Sequence, residues 1–422
     1  MSNCPSSTLP GPASPAVPRS VLHASRLRLP AAVAFPVLAL VLFAFFFAAS
    51  APSPMFVVLQ RAWNFSPSML TVAYAVYAMA LLLSLLIAGS LSDHIGRRPV
   101  LLAALLLQTA AMVMFLLARG IGGLIAARIV QGVATGIASG AMSAAVVEAA
   151  PAAKKRLGAL ISSVSPLAGL AVGALLTGMA IRWTDHSVTL VFGGLVALFA
   201  VGSAVVAFMP ETVTPRGGVL ASLVPRVSIP ASAKAEFVRS LPVLISVWAL
   251  GGLYLALAPS LMLQVFEVDN GIVNGLTIAI LSGVGAAAPT LFKRFAPAKA
   301  AAIGTSTIVA GMLLLLASLA TRSIELFFVG TAVAGIGFGA AFSAVVQALS
   351  PLAKAHERGE LFAAIFVAAY LALSIPAMVA GFLVTPFGLL GTVEGYAVLL
   401  ILVGIAGTVV QWNSSRRPVL AA

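Results

Sequence analysis

The sequence predicts an all-α membrane protein: twelve transmembrane helices in two pseudo-symmetric six-helix bundles. Three observations carry this. The 422 residues are 61% hydrophobic and only 8% charged, with a mean hydropathy of +1.11. Too few ionisable groups remain to cover a water-facing surface, so lipid must be the solvent. The apolar runs reach about 20 residues or more, enough to cross a hydrocarbon layer about 30 Å thick. The second half also repeats the first. "GIASGAMSAAVVEAAP" (136–151) matches "GIGFGAAFSAVVQALSP" (335–351) at a shift of 199 residues, until one extra residue before the last proline. Internal duplication of this kind marks two bundles able to rock around a site between them.

Along the chain, residues 1–30 are rich in Pro, Ser and Ala and read as a disordered cytoplasmic tail. They lack the basic-then-apolar order of a cleaved signal peptide. Six spans follow, at about 32–57, 67–89, 99–118, 121–149, 157–181 and 188–209. A polar connector at 210–240 reads as a linker. Six more spans lie at about 241–264, 271–291, 299–320, 324–349, 358–384 and 388–411, before a short tail at 413–422. The bundles are therefore expected at 31–209 and 241–412.

Charge sets the orientation. With both ends inside, nineteen Lys and Arg fall in cytoplasmic segments. The outer loops hold four, Arg61, Arg119, Arg182 and Arg322, and Arg128 alone falls within a span. This asymmetry expects both termini in the cytoplasm. The formal charge of +13 is spread in short clusters between spans, which is a topology pattern and excludes nucleic acid as a partner. The single cysteine, Cys4, and scattered histidines at 23, 94, 186 and 356 offer no disulfide framework, metal site or cofactor site. The spans carry no paired acids and no nucleophile with its base, so an enzyme is not expected. A non-transporting membrane sensor or membrane-embedded enzyme remains the remote alternative.

The connector after the second span, "AGSLSDHIGRRPVLL" (88–102), gathers an acid, a histidine and two arginines in an otherwise apolar region. Its Gly89-x-Leu91-x-Asp93-x-x-Gly96-Arg97-Arg98, with Leu102 four residues on, resembles the loop-2–3 signature of the major facilitator superfamily. "RIVQG", Arg128 to Gly132, is similar to that family's Arg-x-x-Gln-Gly element on the fourth helix, and "PET" (210–212) closes the sixth span as the family's does. The resemblance covers about 31–412. It implies a lipid-embedded secondary transporter that moves a small organic solute by alternating access, without a cofactor and with the proton as coupling ion.

The resemblance also implies roles. Asp93 would face the start of the eleventh helix, near 358–361, where a helix N-terminus favours a carboxylate by about 0.3–2 kcal/mol. With Gly89, Gly96, Arg97 and Arg98 it would latch the cytoplasmic side shut. The alternative is that the arginines only enforce topology. The mirror loop "PTLFKRFAPAK" (289–299) keeps bases but has no acid, so the latch is one-sided. Arg128, costly in mid-membrane by at least ~2.5–3.5 kcal/mol, is expected to face the cavity or else to snorkel outward.

Proton coupling needs an acid, and none lies at the centre of a span, which leaves Asp93 and Glu148 as candidates beside Arg128 and Gln131. The small-residue stripe Ser165, Gly169, Gly173 and Thr177 on the fifth span overlaps the family's antiporter signature. It departs from that signature at Ala174, in place of proline, and at Thr177, in place of glycine. Cavity candidates are Tyr74, Tyr77, Gln131, Trp248, Tyr254, Asn274 and Tyr370, each of which would otherwise be a packing or interface residue. So apolar a lining suits a neutral, cationic or amphipathic solute rather than a sugar. Proton-coupled efflux of a drug or metabolite is the expected activity, with proton-coupled uptake as the alternative.

Overall fold

The computed structural model describes residues 31–211, 213, 218–354 and 357–416. The tail with Cys4, Thr212 of "PET", Arg216, His356 and the chain end from Arg417 lie outside the described residues. The first crossing is made by α1 (Ala31–Ser50) and a short α2 (Pro52–Trp63). It is followed by α3 (Pro67–Ala88), α4 (Leu91–Ile95) in the turn, α5 (Arg97–Leu117), α6 (Ile121–Ala149), α7 (Lys155–Trp183) and α8 (Ser187–Ala207). After α9 (Val219–Ser222), the second half comprises α10 (Ala231–Ala256), α11 (Ala258–Gln264), α12 (Gly271–Phe292), α13 (Pro297–Thr321), α14 (Ile324–Leu349) and α15 (Arg358–Ser415).

Among the described residues, eleven segments are long and apolar enough to span a membrane. The last contributes two crossings, because the 58 residues of α15 turn at Gly388, whose φ of 71° and ψ of 168° are not helical. Twelve crossings result.

Local chemistry explains several boundaries. Ser66, Asn270 and Ser323 cap α3, α12 and α14, each accepting a bond from a backbone N–H of the first turn. The break between α1 and α2 follows from "ASAPSP" (49–54): Pro52 has no N–H, so the Ala48 carbonyl loses its helical partner. One boundary differs from expectation. α10 begins at Ala231 rather than near 241, because "ASAKAEFVRS" buries Ala233 and Phe237 and pairs Glu236 with Arg239 at 3.6 Å. Amphipathic helix had the polarity of a linker.

The duplication is visible in the packing. α3 and α5 pack on α6, α5 on α8 and α1 on α7; the second half repeats this with α12 and α13 on α14, α13 on α15 and α10 on α15. Glycines tighten the repeated pairs. A Cβ at Gly132 or Gly136 of α6 would fall 2.9 and 2.7 Å from the Cβ atoms of Ala80 and Ser84 on α3. On α14, one at Gly335 would lie 2.8 Å from the Leu281 carbonyl of α12. These stripes bind helices within each bundle.

Between bundles, α7 packs on α12 and α3 on the first half of α15. We call the side bearing the described chain ends and the Gly89–Arg98 turn the terminal face, and its opposite the distal face. Tight approaches between bundles lie toward the distal face. Gly178 meets Gly271, Gly275 meets Ala174 and Thr71 meets Gly381. Ser53 Oγ donates to the Leu255 carbonyl at 2.6 Å, and Arg61 pairs with Asp269 at 2.8 Å.

Candidate functional site

The sequence candidates gather into three groups. The first is the turn between α3 and α5. Arg97 pairs with Asp93 at 2.8 Å and reaches Glu148, at the end of α6, at 3.2 Å, joining both acids through one guanidinium. Arg98 donates to the Ala207 carbonyl at the end of α8. Glu211 was not singled out from the sequence, yet it organises the turn. Its two carboxylate oxygens accept the backbone N–H groups of Arg97 at 2.8 Å and Arg98 at 3.0 Å, capping the N-terminus of α5. Gly96 has a φ of 103°, and a Cβ there would lie 2.5 Å from Glu211 Oε2, so both backbone and space require glycine. The Gly89 carbonyl lies 3.4 Å from where a Cβ on Gly140 of α6 would be.

A carboxylate at a helix start is found with Glu211 and α5. Asp93 has a largely exposed side chain, and its ion-pair partner is Arg97.

The second group surrounds Arg128, the one fully buried charged residue among those described. It does not snorkel. Its Nη1 donates to Gln131 Oε1 at 2.9 Å and to the Ala49 carbonyl at 3.2 Å. Gln131 Nε2 in turn donates to the Ala48 carbonyl at 2.7 Å, supplying the bond that Pro52 cannot. The guanidinium carbon lies 4.7 Å from the ring centre of Tyr74, 5.0 Å from Tyr77 and 5.1 Å from Phe56. Three ring faces soften the cost of a cation in a low dielectric. The Tyr74 hydroxyl bonds to Ser53 Oγ, which also reaches Leu255, so this cluster abuts the second bundle. Phe56 and Ser53 were not foreseen. The signal available was the proline-broken stretch that turns them inward.

The third group is aromatic. Trp248 of α10 stands edge-on to Phe342 at 5.5 Å and to Tyr370 at 4.9 Å, and Phe366 stacks on Tyr370 at 6.1 Å. Tyr370 and Leu373 pack against the cluster of Ala49, Tyr77, Ala78 and Leu81, so the second and third groups meet across the boundary. Tyr254 lies apart, bonded to Thr331 at 2.9 Å beside Phe327. Asn274 is buried next to Gly275 on α12, with Oδ1 lacking a hydrogen-bond partner.

Comparison with known proteins agrees with this architecture. The family model described as Major Facilitator Superfamily matches residues 38–375. The chain belongs to the major facilitator superfamily. It is accordingly a multi-pass membrane protein and a secondary transporter of small solutes, not an enzyme. No curated protein matches its sequence. Among solved structures it is similar to the human organic anion transporter MFSD10 (TETRAN). That match has 16% identity and a TM-score of 0.65, over 90% of this chain and 100% of the other. It is also similar to a POT family transporter in complex with 5-aminolevulinic acid. There the identity is 13% and the TM-score 0.72, over 90% and 96% of the two chains. Likeness at these identities carries the fold alone. For this superfamily carrier the chemistry of transport must come from its own residues.

Proposed function

We propose that this carrier exports an amphipathic drug or metabolite from the bacterial cytoplasm in exchange for protons, with both termini cytoplasmic. The terminal face is then the cytoplasmic face. The bundles expected at 31–209 and 241–412 are the rocking units, and the connector between them ends in the first turns of α10, which extend the second bundle back to Ala231. The observation that carries the reading is the use made of α7. On the segment of α7 that overlaps the antiporter signature, Gly169 and Gly173 of the small-residue stripe pack on α1, while Ala174 and Gly178, outside the stripe, meet α12 at the distal boundary. An exchanger must seal and reopen its outer side there. Asp93 and Glu148, joined through Arg97, are the acids offered to the proton. The turn that holds them latches the cytoplasmic side when the distal side opens.

Transport into inside-out vesicles, with a panel of lipophilic solutes, sugars and organic acids, tests this. An exporter accumulates its solute when respiration acidifies the lumen and loses it on adding a protonophore. Gradient-driven accumulation by right-side-out vesicles instead would establish uptake by symport. Accumulation indifferent to protonophore would remove the proton.

A further inference from the structure

We propose that Arg128 and the aromatic surface running from Tyr77 through Tyr370 to Trp248 form a receptor for an amphipathic organic anion, its carboxylate on the guanidinium and its apolar body on the rings. The inference rests on the reading of this site as the solute site of a transporter, and it names the class of solute.

The guanidinium is half used. Nη1 donates to Gln131 and to the Ala49 carbonyl, and the Tyr74 hydroxyl stands close to the guanidinium, whereas Nε and Nη2 are buried without a hydrogen-bond partner of good geometry. Nε–H and the adjacent N–H of Nη2 point the same way and form the side-on edge of the fork. That edge matches the two oxygens of a carboxylate. Buried donors without acceptors are costly, and a bound anion would satisfy both at once. No Asp or Glu is buried among the described residues, and the ion pairs between described residues involve Arg61, Arg97 and Arg239. Rings do not neutralise the charge. They hold the cation while leaving its edge free. A cationic solute would meet like charge here and no counter-charge.

The body of the solute is accommodated by the third group. Tyr77 lies under the guanidinium and belongs to the small cluster, with Ala49, Ala78 and Leu81, against which Tyr370 packs. Beyond it, Tyr370, Trp248 and Phe342 present partly exposed rings, and the Trp248 indole N–H lacks a partner. The charge is one-sided. At the 199-residue shift, the position matching Arg128 is Phe327, buried and apolar. A solute would therefore bind in one orientation, with its head in the first bundle.

The test uses the full chain purified into lipid nanodiscs and three probes of one shape: 2-naphthoate, its methyl ester and 2-naphthylmethylamine. Binding is read by quenching of tryptophan fluorescence. Wild type should bind naphthoate at least about tenfold more tightly than the ester, and the amine more weakly than the ester. Arg128→Gln should bring naphthoate to within about threefold of the ester, and Arg128→Lys should keep part of the preference. Equal binding of the three probes, binding of none, or an Arg128→Gln protein with the full preference overturns the proposal. Should Arg128→Gln fail to fold, the wild-type comparison decides alone. Direction and coupling do not enter this measurement, so the export reading and the anion receptor stand or fall separately.

Discussion

Gly178 and Gly271 face each other across the bundle boundary so closely that a methyl group on either would strike the other's carbonyl. Neither backbone can yield without separating α7 from α12. A Gly178→Leu protein should insert normally but fail to close its distal side. Overpacking of this order costs ~1–3 kcal/mol, which would shift the equilibrium roughly five- to 150-fold toward the distally open state. In a Cys4→Ser background, a cysteine at Ser53 should then react faster with an impermeant thiol reagent added at the distal face. Unchanged labelling would mean that the seal lies elsewhere.

The turn offers a contrast between two acids. Glu211 caps α5 with both oxygens, while the exposed Asp93 makes an ion pair of a kind worth at most ~1 kcal/mol. Glu211→Gln should lower thermal stability in detergent by an amount typical of a lost cap, about 0.5–2 kcal/mol. Asp93→Asn should leave stability unchanged but sharply reduce transport, because its task belongs to the state in which the terminal face is closed. Near-normal turnover at matched expression would remove Asp93 from the cycle.

Arg128 and Arg119 both lie toward the distal end of the first bundle, but only Arg128 is buried. Arg128→Ala should abolish transport. Arg119→Ala should have a mild effect, since a solvated charge costs and contributes little. Initial rates normalised to surface expression would separate them.

Gln131 and Pro52 are coupled through the Ala48 carbonyl. Gln131→Leu leaves that carbonyl unsatisfied in a buried site, at a cost of about 1–3 kcal/mol. Pro52→Ala restores the missing N–H, so Gln131→Leu should cost less in that background. A double-mutant cycle on thermal stability measures the coupling, and additive effects would refute it.

Cys4 reports orientation. With both ends in the cytoplasm, an impermeant thiol reagent should leave it unlabelled in intact cells and modify it after permeabilisation.

Most of the fold was legible because lipid permits so few solutions: long apolar helices show in composition, and the 199-residue repeat shows their grouping. What failed were boundaries at which polarity and helicity disagree, as in the amphipathic start of α10. Arg128, Gln131, Tyr74 and Tyr77 were visible one by one, and the structure assembles them around one guanidinium. Phe56 and Ser53 were not, since apolar periodicity does not say which side of a proline break turns inward. Glu211 stood in plain view in "PET", but its partners lie 114 and 113 residues away. No local pattern encodes that distance.

The uncompensated charge on Arg128 also has an electrical meaning. A full elementary charge crossing a 100 mV potential changes energy by about 2.3 kcal/mol, and rocking bundles carry this guanidinium through part of that field. A carrier switching sides without its solute would therefore move net positive charge. An anion seated on Arg128 cancels that charge and makes the loaded step nearly silent. In an exchange cycle voltage would then act on the proton-loaded return, when no solute covers Arg128, and the resting potential would set how fast the cycle resets.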